Sequence, residues 1–389
     1  MEPYKFKPFV FQTLHPRGES KDGISVPVPR SGHRIVNFNQ SIYSVGGYNP
    51  KISKKNYPDE TWQMTRPIFQ EIWQFNIISG SWHRLENLDS GMPEEVVSHC
   101  AVSKGSVMFV YGGTAMPFGD ASSNAVHMCH LPTGRWKRIN TEGKLPEPMY
   151  GQGMCLSDDK LYVIGGSSGY GFNMDVHCLD INTMVWESLK PGIMPEPDGR
   201  YRHEIIEHEG SLYVFGGGQT NSSFCLSTIP TYDVNKREWT KKETQPDPVT
   251  NKYPKPRKCH VTCKKGSYVY IHGGFDTREA FSDLWRFNLH TFEWQELNCK
   301  TESPLYFHSG TITESGRMLV FGGVKNINPP MRTNTVSSIW LGIPCLRDIS
   351  WEAIRHYVPN ICDLPRSQLL QMGIPLSIVD ALQQHSPAG

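Results

Sequence analysis

Six Gly-Gly doublets divide this chain into segments of similar length, and no other feature restricts its fold so strongly. They stand at Gly46-Gly47, Gly112-Gly113, Gly165-Gly166, Gly216-Gly217, Gly273-Gly274 and Gly322-Gly323, at intervals of 66, 53, 51, 57 and 49 residues. Each follows a β-rich run, as in residues 161–164 or 212–215. A tryptophan follows each of the first five doublets, at Trp82, Trp136, Trp186, Trp239 and Trp294, usually in a Thr/Asn/Ser-x-x-Trp phrase. His33, His99, His203 and His260 lie 13 residues ahead of a doublet, and His308 lies 14 ahead. Three markers in phase at a period near 50 residues signal a β-propeller. The doublet ends an inner strand where backbones crowd, the tryptophan packs between blades, and residues such as 71–77 and 283–289 supply a further strand. Each repeat therefore gives about four strands, and six repeats give one closed all-β domain.

The 389-residue length would ordinarily suggest two or three domains, but the repeat assigns residues 1–343 to a single six-bladed propeller. The last repeat lacks a tryptophan phrase, so its outer strand must come from elsewhere. Residues 4–12 alternate aromatic and polar side chains, and we expect them to close the ring. From Pro344 the period changes. Leu346, Ile349, Ser350, Ala353, Ile354, Tyr357 and Val358 fall on one helical face, Pro359 ends that helix, and Pro365 and Pro375 open two more. A helical tail over residues 344–382 follows, then a short flexible end over 383–389.

Lysine and arginine total 39 against 38 aspartate and glutamate, a formal charge of +1. That balance argues against a partner recognised by bulk charge, whether nucleic acid or a membrane surface. No apolar stretch of membrane-spanning length and no signal-peptide pattern is present, so an intracellular protein with reduced cysteines is expected. The ten cysteines show neither a disulfide nor a zinc spacing. The phased histidines occupy equivalent places in different repeats, which suits a structural hydrogen-bonding role better than metal ligation. No nucleophile–base phrase, phosphate loop or paired-carboxylate motif is found, so neither catalysis nor a metal or other cofactor is expected.

The residues just ahead of the phased histidines gather at one mouth of the channel, where propellers bind partners through loops. That ring holds Arg30, Ser31, Tyr150, Arg200, Tyr201, Arg202, Arg257, Lys258, Tyr306 and Phe307. A basic, aromatic mouth on a neutral protein fits an anionic end group, because guanidinium forks pair with carboxylates and aromatic walls exclude water.

The doublets, the Arg-x-x-His starts at Arg30, Arg200 and Arg257, and the spaced tryptophans resemble kelch repeats. Gly46-Gly-Tyr-Asn-Pro50, residues 112–119, Tyr150-Gly-Gln152 and Arg200-Tyr-Arg-His-Glu204 are similar to the kelch substrate receptors of cullin-2 RING E3 ubiquitin ligases. In that family the fold alone does not fix function. The resemblance implies a non-catalytic adaptor, cytoplasmic and nuclear, that captures proteins whose C-terminus ends in glycine and directs them to ubiquitination and degradation. It assigns the terminal carboxylate to Arg202, Arg257, Tyr306 and Phe307, with Tyr150 and Tyr201 as further candidates. Arg30 and Arg200 are expected to bridge blades instead, and Tyr48, Phe118 and Tyr170 to form the rim. Cys345-Leu346-x-x-x-Ser350-x-x-x-Ile354 is similar to an Elongin-binding box, although Cys345 and Ser350 depart from its usual residues. Leu364, Pro365 and Leu369 look like a cullin-2 box. The implied partners are Elongin B/C, cullin-2, a RING subunit and glycine-ended substrates. The chain itself ends Pro387-Ala388-Gly389, the same class of ending, which implies self-occupancy in cis or in trans; an inert terminus is the alternative. A signalling scaffold or phosphatase-binding regulator is the competing function.

Overall fold

A computed structural model describes residues 2–16, 26–51, 67–86, 91–190 and 196–383. The expected six-bladed propeller is present, each blade an antiparallel sheet running from the axis outward. The first blade is Arg34–Phe38, Ser41–Val45, Ile72–Asn76 and Ser81–Leu85; the fourth is Glu204–His208, Ser211–Phe215, Thr228–Asp233 and Glu238–Glu243. The third blade gains a parallel edge strand, Glu142–Gly143, from the connection that precedes it.

The three sequence markers are one packing device. Both glycines of a doublet have positive φ, which a side chain would strain. A Cβ on Gly216 would lie 2.8 Å from the next blade's His260 ring, and one on Gly217 would lie 2.6 Å from Cβ of its own blade's His203. The same sandwich recurs at Gly273-Gly274 between His260 and His308, and at Gly322-Gly323 between His308 and His33. The third blade has no phased histidine; Gln152 fills its place, with Nε2 pressed against the position a Gly112 Cβ would take. The tryptophans lie on the fourth strands and pack on the preceding blade. Trp294 of blade five, fully buried, joins Phe215 and Ile229 of blade four, and Trp82 of blade one stacks 4.8 Å from Phe321 of blade six.

Ring closure departs from the expected register. The N-terminal segment does supply the sixth blade's outer strand, but over Gln12–Leu14 rather than residues 4–12, antiparallel to Val336–Trp340. Phe9 has φ +56, which breaks the extended run, and Tyr4 turns away to bond Glu352 in the tail at 2.7 Å. Phe11 packs with Tyr270, Leu284, Met318 and Ile339 between blades five and six, the place a tryptophan holds elsewhere. Phe11 is half-buried. Phe11→Ala is therefore expected to cost roughly 2 kcal/mol, below the range for a fully buried phenylalanine, whereas Val10→Ala, at an exposed position, changes little. Urea denaturation of both variants checks this.

The tail contains α1 (Leu346–Tyr357), α2 (Arg366–Gln371) and α3 (Leu376–Gln383). It sits under blade one, on the face of the strand-connecting hairpin turns. Ile78 of a blade-one turn enters its core with Trp351, Ile361, Leu369, Ile378 and Val379; Trp351 Nε1 donates to Ile78 O at 3.1 Å, and Asn76 Nδ2 to Ala381 O at 2.6 Å. The inward side of α1 and its C-cap is thus Trp351, Ile354 and Val358: Ile354 and Val358 belong to the stripe expected from Leu346, and Trp351 does not. Leu346 and Tyr357 are exposed because the helix is rotated to insert Trp351.

Candidate functional site

The mouth opposite the tail is closed by backbone. Gly32, Ser98, Gly151, Arg202, Cys259 and Phe307, one per blade, all have φ between 53° and 71°. Each amide donates to the carbonyl of the preceding member at 2.7–3.1 Å, and Gly32 N to Phe307 O completes the circle. These amides and carbonyls are consumed by the ring, so side chains must supply any recognition chemistry at the mouth.

Arg202 lies across this ring. Its Nη2 donates to Ser98 Oγ, its guanidinium carbon stands 4.6 Å over the Phe307 ring, and a Cβ on Gly32 would be 3.4 Å from Nη2. The residue is 8% exposed, Nε is buried without a hydrogen bond, and no carboxylate pairs with it among the described residues. Burial lowers its pKa from the ordinary value, with Arg34 adding to the effect; Arg34 is itself paired to Glu204 at 2.7 Å. A desolvated guanidinium with free donors is suited to a carboxylate.

Arg257 does not join it, which corrects the expected site. Its Nε donates to Lys255 O at 3.0 Å, Nη1 to Gly273 O at 2.9 Å, and both terminal nitrogens to Asp283 at 2.7 and 2.9 Å. The side chain has no exposed surface. Arg30 repeats the pattern with Gly46 O and Glu71 (2.5 Å), and Arg200 with Gly216 O and the Phe224 ring. The arginine three before the histidine position thus ties the end of its own blade's second strand, here to the third strand. Burial pushes the Asp283 pKa up, but the charge and hydrogen bonds of Arg257 and the Trp285 bond outweigh it and hold the carboxyl below its usual range. Arg257→Met should cost about 3 kcal/mol, because removing one partner strands a largely buried carboxylate; the melting temperature measures it, and unchanged peptide binding by folded protein would separate this arginine from Arg202.

Two aromatic groups lie beside the axial ring, at residues next to its members in the chain. Tyr150 and Tyr201 meet at 6.3 Å, with Phe172 5.2 Å from Tyr201. Tyr306 and Phe307 meet at 5.6 Å, with Phe275 4.7 Å from Tyr306. Lys258 bridges the two groups at 5.6 Å from the Tyr201 ring and 5.4 Å from Phe275, its Nζ held by Gln219 O and Thr220 O. Tyr306 spends its hydroxyl on Asn326 O at 3.1 Å, so it acts as a wall rather than a donor. On the far side Tyr48 and Phe118 meet at 5.1 Å, and Tyr170, 88% exposed, stands at the rim beside Asp120. Sequence reading missed Arg332, which lies 5.1 Å over Tyr48 and donates from Nε to Ser31 Oγ at 3.0 Å. No repeat marker could have found it, since it enters from the loop before the sixth blade's third strand.

The phased histidines do not gather at a metal. His203 Nε2 faces Ile164 O at 3.0 Å, His33 Nε2 faces Phe321 O at 3.1 Å, and burial holds both well toward the neutral form. In the tail, Leu346 is 78% exposed and Ser350 is also exposed, whereas Ile354 is half-buried on the inner face. Leu364 is half-buried, Pro365 is exposed ahead of α2, and Leu369 is 1% exposed in the tail core, where it cannot reach a partner. Pro387, Ala388 and Gly389 lie outside the described residues. No described helix is long and apolar enough to cross a membrane.

The family model described as the KLHDC2/KLHL20/DRC7 Kelch-repeats domain matches residues 32–248 and 191–358. The rat protein named Kelch domain-containing protein 10 is 37% identical over 359 residues, 92% of this chain and 86% of the relative. The human protein of that name is 36% identical, covering 92% and 80%. A Drosophila melanogaster homologue is 34% identical over 406 residues, covering 97% and 66%.

Proposed function

Since this chain belongs to the kelch-repeat family that includes Kelch domain-containing protein 10, we propose that it is a non-catalytic substrate receptor of a cullin-2, Elongin B/C and RING ubiquitin ligase. In this reading the propeller mouth takes the free C-terminal carboxylate of proteins ending in glycine. The observation that carries it is Arg202, a buried guanidinium with no carboxylate partner among the described residues, laid across a closed ring and over Phe307, with Tyr306 against Phe307 and with Tyr201, paired to Tyr150, next to it in the chain. A terminal glycine suits such a mouth because its missing side chain lets the carboxylate approach a floor whose backbone is already fully paired. The test is a peptide pair differing only by C-terminal amidation: the free acid should bind and the amide should not.

The ligase-binding half of the reading rests on Leu346, which is exposed on the opposite face from the mouth, so substrate and ligase would occupy separate surfaces. Leu346→Asp is expected to abolish co-purification with Elongin B/C while leaving the melting temperature unchanged, because an exposed side chain adds little to folding. Retention of Elongin B/C by that variant would remove the adaptor reading without touching the carboxylate pocket.

A further inference from the structure

Blades four and five meet beneath the propeller at two hairpin turns that no part of the proposed receptor function uses. His208 and Glu209 stand at the inner turn of blade four, and His290 at the outer turn of blade five. Their donor atoms all lie within 4.8 Å of one another. His208 Nε2 is 3.9 Å from Glu209 Oε1, and the two imidazoles meet edge to face with centroids 5.3 Å apart. The His208 ring is only 14% exposed, yet its Nε2 is buried without a hydrogen bond. A buried ring nitrogen with no partner, facing a second imidazole and a carboxylate, requires an explanation.

We propose that His208, His290 and Glu209 form a divalent-cation site, suited to zinc, that clips blade four to blade five. Two imidazoles and one carboxylate are a zinc-type donor set, and three protein ligands leave a fourth position for water or a partner's donor. Bonds of about 2.0–2.1 Å in a tetrahedron require donors roughly 3.3 Å apart. To reach that spacing the exposed Glu209 side chain has to close by about 0.6 Å on His208 from 3.9 Å, and no pair in the cluster by more than about 1.5 Å, while buried His208 stays fixed. The Ser267 hydroxyl, 2.8 Å from His290 Nε2, supplies the outer hydrogen bond that orients a ligating histidine. Lys264 opposes a cation, but its ammonium is held on Glu207 O at 2.6 Å. The Glu207 carboxylate is committed to Gly210 N and Ser157 Oγ, which leaves Glu209 as the anionic ligand.

The experiment titrates the chelator-treated full chain with Zn²⁺ by calorimetry and with Co²⁺ by absorption. One equivalent of zinc should bind and raise the melting temperature in a saturable way. Cobalt should give ligand-field bands of a nitrogen–oxygen site with no thiolate charge-transfer band, which distinguishes it from the ten cysteines. His290→Ala and Glu209→Gln, both at exposed positions, should each weaken binding at least about tenfold, and Ser267→Ala by about 10- to 100-fold. Absence of stoichiometric binding, unchanged affinity in His290→Ala, or a thiolate–cobalt band would each overturn the site.

Discussion

Between pH 7 and pH 5.5 the protein is expected to lose about 4 kcal/mol of stability from three histidines alone. His99, His203 and His260 are fully buried between glycine doublets, and burial lowers each pKa to about 3. In the unfolded chain the same groups titrate near 6.5. A folded pKa below the unfolded one means that the unfolded chain binds the extra proton. The stabilisation is therefore complete above about pH 6.5 and is lost as the pH falls toward the folded value, at about 1.4 kcal/mol per pH unit for each group. His33 and His308 shift in the same direction. His308 is hydrogen-bonded to His272 at 2.9 Å, so that pair titrates jointly and is left out of the sum. The ion-paired carboxylates Glu71 and Asp283 also have lowered pKa values, but their contributions fade only below about pH 4, in a separate window. Urea denaturation at several pH values reads the slope directly. The third blade supplies the matching control, since Gln152 occupies the histidine place and bonds Met149 O at 2.8 Å without titrating. His203→Gln should reduce the slope by about 1.4 kcal/mol per pH unit. A flat stability between pH 7 and 5.5, or an unaltered slope in that variant, would contradict the account.

That same packing explains what the sequence made legible. Doublet, histidine and tryptophan recur because every blade meets its neighbour through the same contacts, so blade number and strand count could be read from spacing alone. Closure of the ring occurs once and has no periodic partner. Its direction was readable from the missing tryptophan, but its register was not, because Phe9 and Phe11 look alike in an alternating aromatic run. Only the structure shows that Phe9 breaks the strand while Phe11 replaces the tryptophan. Likewise α1 was legible as a helix, yet the buried Trp351 lies outside the stripe counted from Leu346. A short helix on a large body is rotated by its largest anchor, here an indole whose Nε1 must reach Ile78 O.

The mouth was half legible for a related reason. Arg257 and Arg202 are both basic residues ahead of a phased histidine, but three-residue spacing from the histidine carries one arginine back to Gly273 O and Asp283, while the residue adjacent to the histidine enters the axial ring. Only Gly32 and Gly151 advertise that ring's left-handed backbone. Ser98, Arg202, Cys259 and Phe307 are held in the same φ region by hydrogen bonds to neighbouring blades, a constraint that belongs to the assembled ring and not to local sequence.

Replacing Arg202 is expected to remove binding of glycine-ended peptides, by about 100-fold or more. A buried, hydrogen-bonded charge pair at an interface costs about 2–5 kcal/mol when one partner is truncated, and much of that is the penalty of leaving the other charge desolvated. Here the stranded charge would be the peptide carboxylate, pressed onto a floor whose amides are already paired around the ring. Arg202→Gln removes the charge and changes no blade contact of the kind Arg257 makes, so the variant should melt close to the parent protein. Arg202→Lys should recover only part of the affinity, because an ammonium is a point charge without the fork that bonds Ser98 and a carboxylate together. The amide peptide supplies the reciprocal measurement. Against the parent protein it should bind as weakly as the free acid does against Arg202→Gln, and against Arg202→Gln itself the acid and the amide should bind alike, because the group that distinguishes them is gone. Equal affinity of acid and amide for the parent protein would exclude carboxylate capture at this mouth. A preference for the acid that survives in Arg202→Gln would move the capture to another cation, with Arg332 beside Tyr48 the next residue to substitute.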